Sequence, residues 1–74
     1  MRVVLEVEKE LLVNTLEFIK WAFKEAQIER IEQIPYREKS TFHITFRTEK
    51  PVMDIIETLR TNGRLDQLKL IEGV

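Results

Sequence analysis

The 74-residue sequence has room for one domain with one core, and its 43% apolar and 34% charged residues, with two glycines and two prolines, describe a globular chain rather than a disordered or fibrous one. Twelve Lys and Arg stand against thirteen Asp and Glu, interspersed from end to end; the net charge of −1 argues against the broad basic surface that grips nucleic acid or anionic lipid. No cysteine is present, which excludes disulfides, thiolate catalysis and cysteine-based zinc sites and sets the expectation of a reducing, cytoplasmic compartment.

In chain order, Arg2 to Glu8 reads as a strand rich in β-branched residues. Val3, Leu5 and Val7 take one face; Arg2, Val4, Glu6 and Glu8 take the other. From Lys9 to Ala26 the period becomes helical: Leu11, Leu12, Thr15, Leu16, Phe18, Ile19, Ala22, Phe23 and Ala26 fall in one broad sector. Asn14 with Glu17 three residues on forms an alternative helix start, which would leave Lys9 to Val13 as a loop. Ile28, Ile31 and Ile34 recur every three residues, but Pro35 biases Ile34 away from helix, so a bulged strand is expected from Ile28 to Tyr36. Arg37 to Ser40 is a polar hairpin loop whose charges read as solvation.

Thr41 to Thr48 alternates without a break, with Phe42, Ile44 and Phe46 toward the core and Thr41, His43, Thr45 and Arg47 on the opposite side. Pro51 suits a first helical position, Val52, Ile55, Ile56 and Leu59 continue an amphipathic helix, and Asn62-Gly63 ends it. Leu65 to Ile71 is the last strand, with Leu68 and Leu70 on one face and Lys69 and Ile71 on the other. No apolar run reaches about 18 residues and no leader-like start is present, so no membrane contact by this segment is expected.

The order strand, helix, strand, strand, helix, strand resembles the ferredoxin-like split fold. That resemblance implies an α+β domain: a four-stranded antiparallel sheet of order 4-1-3-2, both helices on one face and the other face open. The fold hosts many functions, so each must be argued from its residues. RNA-recognition motifs share the strand order and stack bases on aromatics of the central strands, yet the corresponding positions here are Thr41, His43 and Val4, so nucleic-acid binding of that kind is not expected. Heavy-metal-associated domains need two cysteines in the first loop, and acylphosphatases a phosphate-holding glycine and arginine where this chain has Glu8-Lys9-Glu10. His43, with Glu6 beside it on the neighbouring strand, is no metal cluster. No nucleophile, base and orienting group share a spacing, so neither an enzyme nor a cofactor is expected.

The chain is also similar in length and topology to ACT-like regulatory domains. Where their amino-acid-binding members carry a Pro-Gly turn it has Glu8-Lys9-Glu10-Leu11, and the resemblance then implies an interaction domain, such as the cytosolic regulatory appendage of a transporter or enzyme. Candidate contact residues are Val4, Thr45 and Ile71 as an apolar centre, with Glu6, His43, Arg47 and Lys69 around them. Trp21 lies ~60° outside the apolar sector of its helix, and either folds back over Phe18 or the sheet edge, or anchors a partner. A chain of this size buries only ~60% of its unfolded surface, so a homodimer through the open sheet face or the edge strands would widen a thin stability margin. A further protein partner is compatible with the same surface. A small DNA-binding regulator or antitoxin-type protein is the alternative of a different class.

Overall fold

The computed structural model describes residues 1–73. Strand β1 (Arg2–Glu8) leads through a single 3₁₀ turn (Lys9–Leu11) into helix α1 (Leu12–Ala22). Strands β2 (Gln27–Ile34) and β3 (Thr41–Arg47), helix α2 (Val52–Thr61) and strand β4 (Lys69–Gly73) follow. All strand pairs are antiparallel, in the order β2-β3-β1-β4, so the architecture is the ferredoxin-like βαββαβ arrangement with β1 and β3 at the centre.

The alternation read from the central strands decides where the core sits. Val3, Leu5 and Val7 of β1 and Ile44 and Phe46 of β3 are buried in one cluster with Phe18, Ile19 and Phe23 from the α1 side and Ile55 and Leu59 of α2. Both helices therefore cover the same face of the sheet. Phe42 packs against that cluster from its rim, half-buried.

Four departures from the sequence reading have identifiable causes. The first helix ends at Ala22, four residues before the end of its apolar sector, because Phe23 leaves helical geometry (φ −122°, ψ 74°). Its ring is then fully buried, stacked on Phe46 at 5.8 Å and edge-on to Phe18 at 6.2 Å. Burying a phenylalanine contributes about 1.5–3 kcal/mol, more than the few tenths of a kcal/mol per residue that separate helix propensities. Asn14 is not a cap; it lies inside α1, and its Oδ1 accepts a hydrogen bond from Arg64.

The second departure is in β2, where the pairing with β3 shifts between Ile28 and Arg30, leaving Glu29 as the extra residue. A bulge lets residues three apart share a face, so Ile28 sits opposite Phe46 and Ile31 opposite Ile44, both on the helix side. The first step of the period that resembled helix is thus satisfied in a strand, while Ile34, opposite Thr41, falls on the open side. The strand stops at Ile34 rather than Tyr36, which takes a left-handed φ of 63° and is fully exposed.

Third, β4 begins at Lys69 instead of Leu65, since Arg64 to Leu68 form a turn in which the Arg64 carbonyl accepts from the N–H groups of Gln67 and Leu68, each at 3.0 Å. Leu68 is buried from within that turn. Fourth, Pro51 is extended (ψ 157°) and precedes the helix it was expected to open. The Asn62-Gly63 stop holds: Gly63 has φ +67°, its N–H donates to the Arg60 carbonyl at 3.0 Å, and the Arg64 N–H reaches back to Leu59 at 2.8 Å. Those paired bonds satisfy carbonyls that the helix end would otherwise leave orphaned.

Candidate interaction surface

No helix lies over the second face of the sheet, and the strand registers lay its side chains out in rows. One row runs Arg30, Thr45, Val4, Glu72 and the next Glu32, His43, Glu6, Lys69; beyond them lie Arg47 beside Arg2 at one end and Thr41 beside Glu8 at the other. Both edge strands are irregular at the level of the Val4–Thr45 pair. Glu29 is extra in β2, and Ile71 is extra in β4, where Val4 pairs with Glu72 and Leu5 with Leu70. Two bulges in line increase the local twist of both edges. Between them lies a hollow of about 480 Å³, floored by Val4, His43 and Thr45 and flanked by Glu29, Arg30, Ile71 and Glu72.

Val4, His43, Thr45 and Ile71 therefore line one depression. Arg47 belongs to the same face at its end, where its Nε donates to Glu29 Oε2 at 2.5 Å. Trp21 does not join them. It is 65% exposed on the outer side of the helical layer, with its ring 6.1 Å from Phe18 and tilted 42° to it. Phe18 is shared on that side with the Arg64 guanidinium, 4.6 Å from its ring centre, a cation–π distance. Trp21 thus both leans on Phe18 and remains available to solvent.

The charged centre of the open face is a three-residue network. Glu6 Oε1 accepts from His43 Nε2 at 3.0 Å and from Arg37 Nη2 at 3.3 Å. A carboxylate only accepts, so the His43 proton sits on Nε2. Arg37 comes from the β2–β3 loop, and Lys39 of the same loop approaches Glu8 at 3.7 Å. The loop charges are thus ties to β1 as well as solvation, which the sequence order concealed because 31 residues separate Arg37 from Glu6. The alternation of β1 and β3 had placed Glu6 beside His43, as the register shows.

The His43 hydrogen bond, and then the Arg37 charge, hold the Glu6 carboxyl below its ordinary value of 4.5 against the opposing effect of burial. Glu25 is lowered as well, chiefly by the Thr48 hydroxyl that donates to it at the start of the β3–α2 connection. A carboxylate with a depressed folded-state pKa contributes stability that is fully present above 4.5 and is lost as pH falls through the folded value. Thermal melts from pH 6 down to pH 3 should show the melting temperature falling below about pH 4.5, with a shallower fall in Glu6→Gln. An unchanged acid limb in that variant would show that the network does not stabilise the fold.

Among the described residues no three His, Cys, Asp or Glu come together to hold a metal ion, and no helix is long and apolar enough to cross a membrane. No protein-family model matches the chain, and no curated protein or solved structure was found that resembles it.

Proposed function

We propose that this protein is a non-enzymatic, ACT-like interaction or regulatory domain that associates with itself through its sheet. The observation that carries the reading is β2: this eight-residue edge strand has no buried residue, although three of its residues are isoleucines. An edge strand presents unpaired backbone N–H and C=O groups, and apolar side chains along it favour pairing with another chain. The uncovered face beside it, with Val4 and Thr45 in its hollow, is continuous with that edge and stays open for what the paired sheets bind. Topology and length support the ACT-like comparison, and the regulatory role would lie in what the joined surface binds.

Sedimentation equilibrium from about 10 μM to 1 mM tests the reading, a range appropriate to contacts below standard interface size. The expected result is a reversible monomer–dimer equilibrium within that range. A single monomeric species up to 1 mM would contradict it.

A further inference from the structure

Resting on that self-association, we infer which edge and which register form the dimer: β2 of one copy pairs antiparallel with β2 of a second copy about a twofold axis through Ile31. In an antiparallel pair, directly opposed residues share a face of the sheet. An axis perpendicular to the sheet, which keeps both helical layers on one side, must pass through a residue that then faces itself. Centred on Arg30 or on Glu32, the pairing would set like charges against each other. Centred on Ile31, it opposes Arg30 to the partner's Glu32 and Glu32 to the partner's Arg30, with the two Ile31 side chains together.

The side chains are already disposed for this arrangement. Arg30 and Glu32 lie on the open side of β2, opposite Thr45 and His43, and their charges are 3.5 Å apart along the strand. In the dimer those two charges and their symmetry mates form a closed square of alternating sign. Ile31 lies on the helix side opposite Ile44, yet no helix covers it and it is 45% exposed. The second copy would bury it.

Two features favour this edge over packing of the open faces against each other. The open face is hollow, so two copies set face to face would trap a void instead of the close packing that stabilises contacts. The Glu29 bulge, in turn, confines regular pairing to a short segment. That predicts a weak and closed dimer, not a growing sheet, because a twofold contact uses the same edge of both copies. Joining the sheets makes one eight-stranded open surface. Four strands spaced about 4.8 Å apart and about five residues long give roughly 300 Å² of footprint; two such faces approach the ~800 Å² per partner of a stable interface.

Because the chain has no cysteine, Ile31→Cys introduces the only thiol. Directly opposed Cα atoms lie about 4.5–5.5 Å apart, within the roughly 4.4–6.8 Å that a disulfide spans. Mild oxidation of Ile31→Cys should therefore give a covalent dimer, whereas Glu32→Cys and Thr45→Cys should stay monomeric on denaturing gels. Arg30→Glu alone should weaken dimerisation about tenfold, and Arg30→Glu with Glu32→Arg should restore it, since both cross-pairs are then inverted together. If sedimentation shows a dimer but Glu32→Cys or Thr45→Cys cross-links in place of Ile31→Cys, this register is wrong while self-association stands. If the parent chain is monomeric to 1 mM, both fail.

Discussion

Phe23→Ala is expected to destabilise the fold by about 3–5 kcal/mol, the range for removing a fully buried phenylalanine. The ring is 0% exposed, stacks on Phe46 at 5.8 Å and meets Phe18 edge-on at 6.2 Å, so its loss removes contacts from both the sheet and the first helix. A small domain has only about 5–15 kcal/mol in total, so this one substitution removes a large share of it. Chemical denaturation by urea, compared with Trp21→Ala as an exposed aromatic control in the last turn of α1, measures it. A cost below 1 kcal/mol would mean that Phe23 does not end the helix by entering the core.

Gly73→Ala should cost about 1–3 kcal/mol, for a different physical reason. A Cβ at this position would stand 2.8 Å from Cγ2 of Val52 at the start of α2. Valine is stiff about χ1, so the methyl cannot swing aside freely. The contrast with Gly63 is useful: there a Cβ meets nothing within 4 Å, and the need for glycine is the left-handed φ of +67°. If the Gly73 cost is steric, Val52→Ala combined with Gly73→Ala should recover part of it, giving a non-additive pair in urea titrations. Additive losses would show that α2 does not pack onto the end of β4.

How much of this was legible in the sequence depended on whether one periodicity had one explanation. The unbroken alternation of Thr41 to Arg47 and of Arg2 to Glu8 fits only a strand, and it specified the central pair, the core face and the neighbourhood of Glu6 and His43. Gly63 was equally readable, because a helix stop of this geometry calls for a residue that tolerates positive φ. Phe23 was not. It fits the apolar sector of a continued helix and the core of the sheet equally well, and the choice is made by Phe46, 23 positions later. Ile28 and Ile31 were readable as strand only with a bulge between them, whose position follows from pairing with β3. For Leu68 the alternation marked an inward residue but not that a turn, rather than a strand, delivers it.

The surface candidates divided along the same line. Val4, His43, Thr45, Arg47 and Ile71 share a face because strand alternation carries across a sheet once its order is known. Trp21 was placed outside the core by its helical angle alone, and lies on the outer side of the helical layer, away from them. Arg37 escaped notice because a loop residue has no periodicity to follow. It nevertheless reaches the centre of the open face.

We propose that the sheet is the surface on which this protein meets a second copy of itself. Amide chemical shifts in ¹⁵N–¹H spectra recorded from about 20 μM to 1 mM report that association and its location together. Concentration-dependent shifts are expected at Arg30, Ile31, Glu32 and their β3 neighbours, with the outer surface of the helices around Trp21 unmoved. Shifts confined to the helical layer, or none across the whole range, would contradict it.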